Sequence, residues 1–402
     1  MSRGAFQRAV EEAAAGAEPF ACLCSARGDA ALGKRSLLAR RMRPVATLQA
    51  DAAPAVGEAT ALLRAAAQQA FAEGAKGCLL LVSHEGGRLF DEADSHAAWE
   101  GLPLVQLWAA DDLLETLGGE PWSGPSERPQ LERRAVADEA WHRAAVETIL
   151  EAIRAGRLYQ LCLTFPLWFE APDSLIELFA WMMANHPVDY GALIRLPGLE
   201  LASASPERFL SLRDGLATAR PMKGTRLLIP GREEEVMAEL VASEKDRAEN
   251  TMIVDLLRND LSRVCLPGTV EVPALCTLER YRSVAQLTST VTGRLAPGRD
   301  LWDLLAAAFP PGSMTGAPKL EACTMIRELE SGPRGLYGGT IGWMEPNGNA
   351  ELSVVIRTLQ SRNGIARWDV GGGIVYDSDP RSEWEEAWAK VAVLGQRPSS
   401  GD

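Results

Sequence analysis

The sequence predicts an α/β chain of the α+β kind, and three observations predict it. Stretches with helical spacing, some of them rich in alanine, recur along the chain. Short apolar runs of strand length alternate with them. Glycine-containing turns fall beside charged residues, which places the chemistry on loops between ordered elements.

Taken in order, residues 57–74 (GEATALLRAAAQQAFAEG) read as an alanine-rich helix ending at Gly74. Residues 77–90 (GCLLLVSHEGGRLF) read as a strand followed by a turn. Glycine, proline and serine crowd into 118–129 (GGEPWSGPSERP), which marks a linker or long loop. A soft boundary is expected there, with an N-terminal region over 1–130 and a large α/β domain with loop-borne chemistry over 131–397. Helical periodicity returns over 139–156 and stops at Gly156, and 157–170 (RLYQLCLTFPLWFE) reads as a strand.

Composition narrows the function. The chain has 402 residues and a net charge of −13, so no nucleic-acid partner bound through its phosphates is expected. Seven cysteines without a CxxC pair read as free thiols in a reducing compartment. The opening MSRGAFQRAVEEAAAG has no apolar stretch of signal-peptide length, and no run reaches the length of a membrane span. A cytoplasmic protein without a membrane partner is expected. The four histidines, His84, His96, His142 and His186, share no metal-ligand spacing. Metal chemistry therefore falls to carboxylates and a hard cation. Two nucleotide-binding look-alikes fail on chemistry. Gly28…Gly33-Lys34 has Arg35 where a hydroxyl must reach magnesium, and Gly371-Gly372-Gly373 has Tyr376 where a third glycine is needed.

Six segments carry candidate chemistry. In SEKDRAENTMIVDLLRNDLSRV (243–264), Asp246 and Glu249 share a helix face, which alone would be a solvated acidic face. In YDSDPRSEWEEAWAKVAVLG (376–395), Asp379 can cap a helix with Pro380 at its first position. Glu383, Glu386 and Lys390 then fall on one face, and alone Glu386 and Lys390 make an ordinary i,i+4 pair. Two such acidic helices, if they converge, form a site for Mg²⁺, which prefers oxygen ligands and retains water. In ARPMKGTRL (219–227), Gly224 permits a tight turn, and Lys223 is either a surface lysine or a nucleophile. FPPGSMTGAPKLEACTMIREL (309–329) runs a Gly/Ser/Thr loop into a helix at Pro318, which can face an anion. SVVIRTL (353–359) reads as a buried strand in which Arg357 needs an anionic partner. SASPERFL (203–210) sets Glu207 after a proline turn, as an exposed carboxylate or a general acid.

Together, GRLYQLCLT, SASPERF, RPMKGTR, SEKDRAENTMIVDLLRNDLSRV, FPPGSMTGAPK, VVIRTL and VGGGIVYDSDPRSEWEEAWAK resemble the chorismate-utilising enzymes, in the family's order over residues 156–391. The resemblance implies two large antiparallel sheets packed together with helices outside, and one Mg²⁺ on the carboxylate attached to the substrate ring. It implies Glu249 and Glu386 as direct magnesium ligands, with Asp246 and Glu383 acting through water. It implies Lys390, Arg357, Thr225, Ser313, Gly371 and Gly373 as contacts to chorismate's carboxylates, with Gly224 and Gln160 beside them.

Subtype rests on two positions. Isochorismate and salicylate synthases carry a lysine where Gln160 stands, and an amide cannot take a proton from water. Lys223 matches the PIKGT motif of aminodeoxychorismate synthases, where anthranilate synthases have PIAGT. The implied reaction is amination of chorismate at C4, with Lys223 as a covalent nucleophile and Glu207 as general acid. The resemblance implies ammonia from a separate glutamine amidotransferase subunit, since no Gly-x-Cys-x-Gly elbow is present. The alternatives are anthranilate synthase component I, a 2-amino-2-deoxyisochorismate synthase, or a non-catalytic chorismate-binding regulatory subunit. Three departures from the family pattern stand out: Cys162 for an asparagine, Gln286 for a histidine linked to pyruvate elimination, and Met222 for an isoleucine.

Overall fold

A computed structural model describes residues 2–25, 35–90, 96, 98–117, 122–136, 138–280, 284–391, 394 and 396. The look-alike at 28–34 and residues 118–121 of the expected linker lie outside them. Nine helices occur among the described residues. They are α1 (Arg3–Ala15), α2 (Glu58–Ala72), α3 (Glu139–Arg154), α4 (Ile176–Asn185), α5 (Glu233–Ala242), α6 (Glu244–Ser262), α7 (Leu301–Ala308), α8 (Lys319–Leu329) and α9 (Pro380–Val391). The first strands are β1 (Phe20–Cys24), β2 (Arg35–Leu48), β3 (Gly77–Val82), β4 (Val105–Leu117), β5 (Arg133–Val136) and β6 (Gln160–Glu170). Then come β7 (Tyr190–Leu196), β8 (Leu199–Ser205), β9 (Arg208–Arg213), β10 (Leu216–Arg220), β11 (Met222–Leu227) and β12 (Glu271–Arg280). The last are β13 (Val284–Arg294), β14 (Gly316–Ala317), β15 (Thr340–Met344), β16 (Ala350–Val354), β17 (Thr358–Arg362) and β18 (Ile365–Ile374).

Local chemistry sets the helix starts. Asp138 caps α3 by accepting from Ala140 N at 3.0 Å, and Asp300 and Asp303 form a reciprocal capping box on α7. Pro318, expected as a first helical residue, instead sits at the N-cap of α8 with an extended backbone. The helix of 57–74 and the strand at 77 fall where their periodicity puts them.

The strands pair antiparallel in one continuous path. It begins β12–β13, continues through β10 and β11 laid end to end on β13, and passes through β9, β16, β15, β3 and β4. It then runs through β2, β1, β7, β8, β17, β18 and β6, with β5 and β14 on the far edge of β6. The expected pair of antiparallel sheets is thus two halves of one sheet, joined through the long pairing of β2 with β4. Their inner faces share a core of Leu37, Leu79, Trp108, Ile194, Leu201 and Trp343. Helices cover the outside, as expected: α2, α6 and α7 pack on one half, and α1, α4 and α9 on the other.

Candidate active site

The glycine run of β18 has a steric cause. A β-carbon at Gly371 would collide with Leu163 O across the pairing with β6, and one at Gly373 with Gln160 Nε2. The Gly373 position also lies 3.2 Å from Lys223 Nζ, and the Gly372 position 3.3 Å from Glu383 Oε2, 3.7 Å from Lys390 Nζ and 3.8 Å from Glu386 Oε1. Bare backbone is what leaves room for side chains from β6, β11 and α9 to meet here.

Lys223 and Thr225 flank a bulge in β11 at Gly224, whose φ is +74°. The tight turn expected at that glycine is a bulge inside a paired strand, because β13 holds β11 on both sides of it. Bulges redirect side chains, and this one carries the candidate nucleophile. A β-carbon at Gly224 would also press within 3.0 Å of the Asp246 carboxyl.

The acidic helices converge. Ser243 caps α6, accepting from Asp246 N at 3.3 Å. Asp246 and Glu249 are 7% and 9% exposed, so their face is buried and not solvated. Asp246 accepts from Arg226 Nη2 at 2.7 Å. Burial lifts the Glu249 carboxyl above the ordinary carboxylate range against the pull of Lys223 and Lys245, and the nearby Glu386 and Asp246 lift it further. On α9, Asp379 accepts from Ser382 N at 2.9 Å, and Pro380 opens the helix as expected. Buried Glu383 accepts from Ser378 Oγ at 2.6 Å and from Lys245 Nζ at 3.3 Å, and the second contact ties α6 to α9. Half-exposed Glu386 pairs with Lys390 at 3.0 Å, which holds its carboxyl below the ordinary range. Lys390 Nζ also donates to Gly371 O at 2.7 Å, so the i,i+4 pair and the glycine floor share one cation.

Glu207 lies between β8 and β9, 5% exposed, and is not the exposed carboxylate its turn suggested. Ser313 Oγ donates to Glu207 Oε1 at 2.8 Å. Burial raises the carboxyl to about 7, although Ser313, Lys223 and Arg357 all favour its ionised form. Arg357 is not in a strand. It sits between β16 and β17 with φ +50°, where the chain leaves one half of the sheet for the other. Gln160 is fully buried, and neither of its amide atoms has a hydrogen-bond partner among the described residues. A buried amide left unpaired beside Gly373 and Lys223 suits a polar ligand.

Two features escaped the sequence reading. Gln286 Nε2 donates to Thr225 Oγ1 at 2.9 Å, while its Oε1 is buried with no hydrogen-bond partner among the described residues. The departure at Gln286 was visible, but the cross-strand register that brings it to Thr225 was not. The second is a buried ionic frame around Arg334 and Glu330, which no periodicity announces.

The donor set fits a hard divalent cation. The candidate ligands that converge here are carboxylates, and Asp246 and Glu383 already accept from protein side chains. Among the described residues no three His, Cys, Asp or Glu side chains form a closed metal-ligand group. A cation held by few carboxylates and its own waters matches the habit of Mg²⁺. Among the described residues no helix is long and apolar enough to cross a membrane.

Comparison with known proteins places this geometry. The family model described as chorismate binding enzyme matches residues 119–396. Anthranilate synthase component 1 of Mycobacterium tuberculosis is 37% identical over 313 residues, 74% of this chain and 61% of that protein. Aminodeoxychorismate synthase of Streptomyces pristinaespiralis is 39% identical over 322 residues, 78% of this chain and 45% of that protein. The chain thus spans about half to three-fifths of the length of these relatives. The crystal structure of anthranilate synthase component I from Streptococcus pneumoniae superposes with a TM-score of 0.71 at 26% identity, covering 80% of this chain and 81% of that one. A match across more than half of the chain, with the fold to go with it, makes this protein a member of the chorismate-binding enzyme family.

Proposed function

We propose that the chain is the synthase subunit of an aminodeoxychorismate synthase, converting chorismate and ammonia to 4-amino-4-deoxychorismate, a precursor of p-aminobenzoate. The observation that carries this reading is Lys223. Its amine stands over the bare Gly373 backbone beside the unpaired amide of Gln160, and its charge reaches Glu207, Glu249 and Glu386. Binding two carboxylates would not require a lysine among so many acids, whereas covalent catalysis would.

In this reading the Lys223 amine, once neutral, attacks C2 of the ring. The N–C2 bond forms, the double bond shifts, and the C4–O bond breaks. Glu207 gives its proton to the departing hydroxyl, which leaves as water. Ammonia then attacks C4, the double bond shifts back and the C2–N bond breaks, freeing Lys223. The proton shed by the new amine returns to the Glu207 carboxylate. Arg357, Lys390, Thr225, Ser313 and the backbone at Gly371 and Gly373 would orient the two substrate carboxylates. Glu249 and Glu386 would hold Mg²⁺ directly, with Asp246 and Glu383 reaching it through water; when bound, the ion would neutralise and orient the ring carboxylate. Ammonia would come from a separate glutamine amidotransferase subunit. Gln286 supports a reaction that stops at the amino-deoxy product, because an amide cannot serve as the base for pyruvate elimination.

Product identification tests this reading. The purified chain is incubated with chorismate, Mg²⁺ and ammonium, with and without an aminodeoxychorismate lyase. The expected result is p-aminobenzoate only when the lyase is present. Anthranilate without the lyase would establish the anthranilate synthase reaction in its place. The metal assignment has its own test: Glu386→Gln is expected to raise the Mg²⁺ needed for half-maximal activity by at least about tenfold, and an unaltered Mg²⁺ titration would remove Glu386 from the ligand set.

A further inference from the structure

Arg334 is a buried charge, engaged through every nitrogen of its guanidinium, outside the proposed catalytic constellation. It is 1% exposed. Its Nε and Nη2 grip the two oxygens of Glu330 at 2.9 and 2.6 Å. Nη2 also donates to Cys162 O at 2.8 Å, and Nη1 to Met314 O at 2.5 Å. Glu330 Oε1 additionally accepts from Thr164 N and Oγ1, both at 2.9 Å. The arginine's own backbone is fixed as well. Glu85, buried in the chain's first third, accepts from Arg334 N at 2.7 Å and Gly335 N at 3.1 Å, and Gln360 Nε2 donates to Arg334 O at 3.2 Å.

The two carbonyls that Arg334 holds belong to the site. Met314 follows Ser313 in the turn Gly312–Met314, and the Ser313 hydroxyl is the direct hydrogen-bond donor to Glu207. Cys162 lies on β6 close after the unpaired Gln160. A buried ion pair is a poor way to add stability, since desolvation offsets its attraction. A planar guanidinium is a good way to fix two acceptors relative to each other, because its donors stand in a rigid fork, whereas a lysine presents rotatable donors from a single point on a flexible stem.

We propose that Arg334, fixed by Glu330 and Glu85, is a positioning residue that locks the Ser313 turn against β6 and so holds the Ser313 hydroxyl on Glu207. The consequence for activity rests on Glu207 being the general acid; the consequence for Glu207 itself does not. The groups facing Glu207 are Ser313, Lys223 and Arg357, and of these only Ser313 lies next to a carbonyl that Arg334 holds.

The experiment follows the Glu207 titration by infrared difference spectroscopy in the full chain, assigning the protonated carboxyl band by its loss in Glu207→Gln. Loss of the Ser313 hydrogen bond in Ser313→Ala moves the titration to higher pH. Arg334→Lys is expected to move it in the same direction, and the double variant to move it no further than Ser313→Ala. Turnover in Arg334→Lys should fall about tenfold to a hundredfold in kcat with KM for chorismate little changed. An unmoved titration in Arg334→Lys, or additive shifts in the double variant, would overturn the proposal. If Arg334→Lys does not fold, Glu85→Gln, which loosens only the backbone of Arg334 and Gly335, replaces it in the same cycle with the same two outcomes. Full activity in Glu207→Gln would remove the general-acid reading and leave the positioning result standing.

Discussion

Lys223→Ala is expected to give a folded protein that still binds chorismate but aminates C4 more than about 10³-fold more slowly, a barrier increase of roughly 4 kcal/mol. The fold should survive because Lys223 is only partly buried and lies on a strand that β13 holds through backbone pairing, which alanine retains. Binding should survive because the other candidate carboxylate contacts stand elsewhere in the fold, Arg357 between β16 and β17 and Lys390 on α9. What disappears is the amine over Gly373, and with it the two-displacement route. Lys223→Arg separates charge from nucleophilicity: it keeps the cation near Glu207, Glu249 and Glu386, yet a guanidinium does not lose its proton and cannot attack. Both variants should therefore fail together. Product analysis by mass and fluorescence decides the matter. A native rate of C4 amination in Lys223→Ala would eliminate the covalent lysine, and a switch to a C2-aminated product would show that the lysine selects the position.

Glu207→Gln carries the second large effect. The amide preserves shape and can still accept from Ser313, but it cannot give a proton to the departing hydroxyl. A loss of about 10²- to 10⁴-fold in kcat is expected. The pH dependence has a definite sign. In the proposed mechanism the acid must be protonated, and burial raises its carboxyl to about 7, so kcat/KM should fall as pH rises through 7. That limb should vanish in Glu207→Gln. Stability follows the same carboxyl. Its folded-state pKa lies above the ordinary 4.5, so the folded protein holds this proton more tightly than the unfolded chain. The contribution is fully present below 4.5 and is lost as pH rises through about 7. Buried Glu85, also raised to about 7 by burial, adds a contribution of the same sign. Thermal unfolding of Glu207→Gln across this range should show a shallower decline than the native protein, and an unchanged slope would contradict the buried-acid reading.

Much of this site was legible as chemistry and little of it as geometry. The Glu386–Lys390 spacing gave a helical pair directly, because i,i+4 neighbours are local. The Asp379-Pro380 start of α9 was equally local. The burial of Asp246, Glu249 and Glu207 was not, since it depends on which distant elements cover them. Arg357 shows the limit most clearly. Val354, Val355, Ile356 and Leu359 around it spell a strand, yet the chain breaks pairing there to pass between the two halves of the sheet. The frame around Arg334 depends on carbonyls from β6 and from the Gly312–Met314 turn, far away in sequence. No spacing rule reaches contacts of that range. The fold class was readable for the opposite reason: period and turn chemistry repeat within a few residues.

The strand path has a further consequence. Lys223 sits on β11, near one end of the path, and Gln160 and Gly373 on β6 and β18, near the other, yet they share one pocket. In the folded chain the two ends are linked through every intermediate pairing, from β9 through β2 to β17. The proposed reacting centre therefore draws on elements spread along the whole path, through contacts of high sequence separation, which are slow to form. A partly folded chain can hold extensive strand structure without bringing nucleophile, acid and ligand-facing amide together. For the proposed reaction, turnover is in this sense a report on topological completion: neither half of the sheet by itself brings Lys223 to Gln160 and Gly373.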